Sequence, residues 1–306
     1  LSSDVCSSDL RGMSDPSAPV LASPAVGGGA RRRSVGSSVD GVEILGSLSP
    51  SRASDFLGCP LLYRFRTVDR LPEPPSPAAL RGTLVHRVLE LLFDLPAAER
   101  TPERARELLA PAWTELQAEP EVAELFPEPE DTVFRSWWRE CSTALERYFT
   151  LEDPTRLEPA AREEYVETVL DSRLLLRGFV DRIDIAPDGA VRIVDYKTGR
   201  APGEGFESSA LFQMKFYALV LWRVRGVVPA MLQLVYLGDG QVVRYEPDEQ
   251  DLRGVERKLE ALWQAIRTAD ETGDWRPNPG RLCGWCVHRH LCPSFGGTPP
   301  PLPERA

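Results

Sequence analysis

The chain has no run approaching about eighteen consecutive apolar residues, so no membrane-spanning helix is expected. Its first thirty residues hold no apolar core of the kind a secretory signal needs, and the expectation is a cytoplasmic protein. A Gly-x4-Gly-Lys-Ser/Thr phosphate loop is also missing, which excludes a helicase motor from this chain. No internal repeat is visible. Residues 94–167 contain no lysine and hold 19 Asp/Glu against 8 Arg, a net of −11. The whole chain carries −10, so the rest sums to about +1. Overall acidity looks unsuited to a nucleic-acid enzyme. The acidic excess is confined to one insert, however, and approach is governed by the local field.

What is present is enough for a real core: 306 residues at 42% apolar content, one large domain or two small ones. Residues 1–46 read as a disordered tail, with 1–12 a suspected scar and Met13 a plausible start. Arg31-Arg32-Arg33 in that tail reads as solvated. Ser49-Pro50 opens the folded part as a helix start. Helices are expected near 78–93, 102–118, 131–149, 208–225 and 248–272. Strands are expected at 162–170, 173–186, 190–197, 230–237 and 241–246, with Pro187-Asp188-Gly189 turning one hairpin. The Pro-rich end, 297–306, is expected to fray.

The chemistry concentrates between Gly178 and Gly199, in GFVDRIDIAPDGAVRIVDYKTG. Two strands flank a turn and deliver Asp181 and Asp195. Lys197 shares a face with Asp195, because strand side chains repeat with period two. Buried acids are costly unless paired or metal-bound. Two acids and a lysine on one sheet edge suit a divalent cation beside a polarised water. Asp181 paired to a neighbouring arginine is the bland alternative. Asp184, three residues on, should face the other way and reads as structural. His86 lies on the apolar helix of Gly82-Thr83-Leu84-Val85-His86, one turn before Glu90. A lone histidine there reads equally as a satisfied core residue. Gln213 and Tyr217 form a polar i,i+4 stripe on an otherwise apolar helix.

Six cysteines are present, and in a cytosolic chain their clustering favours metal over disulfides. Cys283, Cys286 and Cys292 form C-x2-C-x5-C, and Cys59 stands far upstream. Spacing leaves zinc and an iron–sulfur cluster both open, with His288 or His290 available to zinc. Cys141 and Cys6 read as non-ligands.

Taken in order, GTLVH, GFVDRID, VDYKTG and Gln213-x-x-x-Tyr217 resemble the RecB-like nucleases of the PD-(D/E)xK superfamily, over about residues 49–295. The resemblance implies an α/β, restriction-endonuclease-like core: a central mixed sheet flanked by helices, with an acidic helical insert at 94–160. It implies Asp181, Asp195 and His86 as ligands to Mg2+ or Mn2+, Lys197 as the residue activating water, and Gln213 and Tyr217 as supports or strand contacts. The cysteine pattern is similar to that of AddB-type and CRISPR adaptation nucleases. That implies a [4Fe–4S] staple on Cys59, Cys283, Cys286 and Cys292 joining the chain ends.

Candidate phosphate contacts are Arg64 and Arg81, with Arg52, Arg66 and Arg87 nearby. Tyr63 and Phe65 interleave with arginines as on single-strand binding surfaces, or belong to the core. The expected activity is metal-dependent DNA hydrolysis, exonucleolytic on single strands, in repair or recombination, alongside a separate helicase subunit. The alternatives are a non-cleaving DNA-binding scaffold subunit of a helicase–nuclease complex and, more distantly, a redox protein.

Overall fold

Three helices begin on one two-residue signal. Ser49-Pro50, Ser76-Pro77 and Thr101-Pro102 each place a hydroxyl at the N-cap and proline at the first helical position. They open α1 (Pro50–Gly58), α3 (Pro77–Leu92) and α4 (Pro102–Leu116). The short α2 (Pro60–Tyr63) follows α1, and α5 (Pro120–Leu125) follows α4. Asp131 caps α6 (Thr132–Leu151), and a capping box of Asp248 and Asp251 opens α8 (Glu249–Thr272). Helix α7 spans Glu207–Arg225.

The computed structural model describes residues 36, 38–39, 41–126, 131–203 and 207–303, all within one unit, 34–306. The expected scar at 1–12 and the triplet Arg31–Arg33 lie outside the described residues. Order begins earlier than expected. Strands β1 (Ser38–Val39) and β2 (Val42–Glu43) pair antiparallel, and Ile44 is buried. Its apolar side chain, together with β3 (Gly46–Leu48), draws residues 44–48 into the fold.

The main sheet runs β3, β5, β6, β7, β8, with β4 along the other edge of β5. These strands are β4 (Ala161–Val169), β5 (Leu174–Ile185), β6 (Val191–Lys197), β7 (Met231–Tyr236) and β8 (Gln241–Tyr245). It is mixed: β3 joins β5 and β6 joins β7 in parallel, and the other pairs are antiparallel. One detail of β5 positions everything that follows. Its far edge is shared by β3, at Leu174–Leu176, and β6, at Arg182–Ile185. Residues 177–181 pair with neither, so the sheet forks there.

Two apolar layers cover the sheet. Helices α1, α7 and α8 pack on one face, around Met214, Phe216, Leu252 and Leu259. Helices α3, α4 and α6 pack on the other, around Leu84, Val88, Leu109 and Leu145, with Val194 and Tyr196 of β6. The acidic insert is therefore a helical layer of the main body, most of its charges outward, Arg100 and Glu152 turned inward, and its apolar stripe on the sheet. Residues 297–303, expected to fray, lie against the body instead. Buried Arg64 bonds the Pro300 carbonyl, and Leu302 sits beside Gly273. No described helix is long and apolar enough to cross a membrane.

Candidate active site

Arg182 stands opposite Val194 in the β5–β6 ladder, and the ladder stops there. One step further, Asp181 would face Asp195. Asp181 closes the fork itself: its Oδ2 accepts the backbone N–H of Tyr196 at 2.8 Å. Across the other edge of β5, Glu163 of β4 stands opposite Asp181, between the pairs Arg162–Arg182 and Glu164–Val180. Its φ of 45° is in the left-handed region, where a glutamate is strained by about 1–3 kcal/mol. Backbone strain of this kind persists where the surroundings hold a functional side chain in place.

His86 reaches the fork from α3. Its Nε2–H donates to the Tyr196 carbonyl at 2.8 Å, which leaves Nδ1 facing acids. Nδ1 lies 3.5 Å from Asp181 Oδ2 and 3.7 Å from Glu163 Oε1. Single ligand atoms of His86, Glu163 and Asp181 all fall within 4.8 Å of one another. Burial, followed by the nearby Asp195 charge, pushes the Asp181 carboxyl up to about 7. At His86 burial opposes the charged ring, yet Glu163, Asp181 and the Tyr196 carbonyl outweigh it and raise the imidazole to about 9.

Asp195 is buried beside this trio but outside its 4.8 Å circle. Its Oδ1 accepts from Gln213 Nε2 at 2.9 Å. Its Oδ2 pairs with Lys197 Nζ at 2.7 Å, off the hydrogen-bonding direction, so this buried oxygen makes no hydrogen bond. Lys197 Nζ donates instead to Gln213 Oε1 at 2.9 Å. The amide of Gln213, on α7, thus bridges acid and lysine, and its orientation is fixed because lysine only donates and carboxylate only accepts. Tyr217, one turn further on, hydrogen-bonds Gln213. Its ring lies so close to β5 that a Cβ on Gly178 would come within 2.7 Å of it. The glycine that opens GFVD, Gly178, leaves room for that ring.

The site residues read from sequence therefore meet at one fork, reached by α3 from one layer and α7 from the other. An unbonded buried carboxylate oxygen, an imidazole nitrogen that gives up its proton on binding metal and two close acids form a donor set that fits a divalent cation. Sequence reasoning missed Glu163. Its signal was register: β4 pairs with β5 so that the residue facing Asp181 is an acid. Glu90, grouped with His86 by spacing, is held instead by Arg87 at 2.8 Å. The bland pairing of Asp181 with Arg182 does not form, because Arg182 binds Glu152 and Asp184.

The candidate DNA contacts divide. Arg81 lines a cleft beside Thr198 and is ion-paired to Glu140. Arg64 is corrected: it is buried, paired with Asp69 and bonded to Pro300, so no face remains for a phosphate. Tyr63 and Phe65 are buried as well, against Trp275 and His288. Short apolar runs broken by arginine look alike on a binding surface and on a helix that buries alternate turns.

Cys59, Cys283, Cys286 and Cys292 line one cavity of about 840 Å³ between the end of α1 and the C-terminal segment. Backbone N–H groups of Asn278 and Gly280 point at Cys59 Sγ, 3.4 Å, and Cys283 Sγ, 3.3 Å. His288 is engaged elsewhere, by Glu73 at 2.9 Å. Cys141 is buried in the helical layer, where burial pushes its thiol up to about 12 and leaves it inert. Cys6 lies outside the described residues.

Comparison with known proteins follows this geometry. The model of the PD-(D/E)XK nuclease superfamily matches residues 47–293. The chain belongs to this superfamily. It is thus a nuclease by family, of a kind that uses divalent metal, and its mixed sheet flanked by helices is consistent with a restriction-endonuclease-like core. Among curated relatives, the Gene 69 protein of Mycobacterium phage D29 is 24% identical over 278 residues, covering 81% of this chain and 96% of its own. Its counterpart in Mycobacterium phage L5 is 22% identical, with the same coverage of 81% and 96%. A crystal structure from Eubacterium rectale, provisionally designated an exonuclease, superposes with a TM-score of 0.52 at 14% identity, over 79% of this chain and 87% of that one. That last likeness shows the fold.

Proposed function

We propose that this nuclease hydrolyses phosphodiester bonds in DNA with Mg2+ or Mn2+, trimming single strands from an end in repair or recombination. The observation that carries the reading is the cluster of His86 Nδ1, Glu163 and Asp181 beside the unbonded Asp195 Oδ2. These four residues would hold the cation. When bound, it supplies Lewis-acid neutralisation of charge at the phosphoryl group. Lys197 supplies the rest. Of its three N–H groups one is taken by Gln213 and the charge is balanced by Asp195, which leaves the ammonium a donor for the attacking water or a phosphoryl oxygen. The bond between His86 and the Tyr196 carbonyl fixes the tautomer that presents Nδ1. An imidazole among oxygens favours Mn2+ over Mg2+. The exonuclease designation of the Eubacterium rectale chain supports attack at ends.

The test is cleavage of 5′- and 3′-labelled DNA, single-stranded and duplex, with Mn2+, Mg2+ and chelator. Metal-dependent release of mononucleotides or short oligonucleotides from one labelled end of single strands is expected. Internal cuts in uncapped and end-blocked DNA alike would remove the end-trimming part, and no cleavage at all would favour the scaffold role.

The four cysteines carry a [4Fe–4S] cluster in the same proposal. Among the described residues no three thiols gather within 4.8 Å, whereas bonds of about 2.3 Å to one tetrahedral zinc bring sulfurs to about 3.8 Å. The four thiols line one cavity, and the two N–H groups on Cys59 and Cys283 suit thiolates, with zinc the alternative occupant. Protein purified without oxygen should be brown, contain iron, and lose both colour and stability in Cys286→Ser. Stoichiometric zinc without iron refutes this assignment.

A further inference from the structure

Two recesses lie near the fork, one reaching Thr198 next to Lys197 and the other Gln213, and they differ in chemistry. The first is a cleft of about 420 Å³ lined by Arg81, Arg139, Arg147, Thr198 and Arg200. Two of its arginines come from α6, in the most acidic stretch of the chain, which has nonetheless placed them here. Arg81 is ion-paired with Glu140, and Arg147 donates to the Leu237 carbonyl. Arg139 and Arg200 are exposed, and among the described residues neither has an ion-pair partner. Thr198 follows Lys197 directly and Arg200 is three residues on, so the Arg200 Cα is at most about 11 Å from that of Lys197. An exposed guanidinium within that reach of Lys197 is long enough to meet a phosphate flanking the one at the fork.

The second recess is a groove of about 650 Å³ that shares Gln213 and Tyr217 with the site. Serines of α1 and Phe179 complete its wall. Phe179 stands two residues before Asp181, yet half of it is exposed, at 51%. Behind it the Tyr165 ring, 5.2 Å away and tilted by 57°, holds it in place. A large apolar ring kept in solvent beside a catalytic acid is costly unless something covers it. Every nucleobase has a face to offer, and an unpaired base offers it without first breaking a duplex.

We infer that one unpaired DNA strand crosses the fork with its backbone phosphates on Arg139 and Arg200 and a base stacked on Phe179. The inference rests on the nuclease reading for its direction across the fork, but it is tested by binding, which is separable from cleavage. The arginines supply affinity that depends on salt, and the phenylalanine supplies affinity that does not. Both together select single strands, because a duplex keeps its bases stacked on one another.

The experiment measures binding of a fluorescein-labelled oligothymidylate and of a length-matched duplex by anisotropy, across a salt series, with metal chelated. The double variant Arg139→Ala/Arg200→Ala should lower the slope of log K against log salt by about 1.4, two contacts at about 0.7 each. Phe179→Ala should weaken single-strand binding about 5- to 150-fold and leave that slope unchanged. Phe179→Leu, which keeps the apolar volume behind Tyr165, should lose most of the same affinity, so a folding defect is not mistaken for lost stacking. Unchanged binding in both sets, or equal loss on duplex and single strand in Phe179→Leu, overturns the strand path. A wild type that binds as described but cuts nothing leaves the path standing and removes the nuclease reading instead.

Discussion

Asp181→Asn is expected to abolish cleavage and at the same time leave the protein as stable as before, or more so. The two effects have one cause. Burial and the charge of Asp195 push the Asp181 carboxyl up to about 7, so the folded chain without metal disfavours the ionised acid. A raised acid costs stability as pH climbs through the ordinary carboxylate range, and the cost is full above the raised value. The neutral amide removes that cost. It can also turn its oxygen to the Tyr196 N–H, so the fork stays closed. What it loses is the charge that holds a cation, and with it at least a hundredfold to a thousandfold in rate. Melting at pH 8 with metal chelated, beside a nuclease assay, reads both quantities. A variant that melts well below wild type, or one that still cuts, contradicts this account of Asp181. Lys197→Ala is its companion, with the same loss of rate but a lower melting temperature, since it leaves the buried Asp195 carboxylate without its cationic partner.

Glu152→Ala is expected to destabilise the protein by about 3–5 kcal/mol, though it lies on the helical insert and touches no candidate ligand. Arg182 is fully buried, and Glu152 holds it with two bonds of 2.8 and 2.9 Å. Tyr196 Oη and Asp184 complete its shell. Removing Glu152 strands a buried guanidinium, which costs far more than the pair is worth. Burial pushes the Glu152 carboxyl up, but the bond to Arg182 and its charge prevail and hold it below the ordinary glutamate range. Because the folded value is depressed, the pair's contribution is full at neutral pH and is lost as pH falls through that depressed value. Urea denaturation from pH 7 downward should show this acid dependence in wild type and not in Glu152→Gln. A loss under about 1 kcal/mol in Glu152→Ala, or acid curves that coincide, would falsify the role given to the pair. Substituting Arg182 and Glu152 together with apolar residues should recover part of the loss.

This buried pair also shows how the site is built. Arg182 follows Asp181, and Tyr196 follows Asp195, so the residues anchored beneath the sheet are the immediate neighbours of the acids. The backbone of Tyr196 bonds Asp181 through its N–H and His86 through its carbonyl. A side chain locked under the sheet thereby holds a peptide group at the fork, and that peptide orients two candidate ligands.

Much of this was legible in the chain. Ser-Pro and Thr-Pro starts, the Pro187-Asp188-Gly189 turn and apolar periodicity mark helices and strands to within a few residues, because caps, turns and amphipathic faces are local physics. Asp181, Asp195 and Lys197 were legible for the same reason, since strand alternation and one tight hairpin bring them together. Glu163 was not, because facing Asp181 depends on the register of β4 against β5, and register is settled by packing of the whole sheet. Arg64 misled, because an arginine near aromatics looks alike whether it meets solvent or a buried Asp69. Residue type and spacing thus set which groups meet at the candidate site and which elements bear them. The fork in β5, the strained Glu163, the tautomer of His86 and the burial of Arg182 came from contacts between residues distant in the chain. Those are long-range terms, and no local window of sequence contains them.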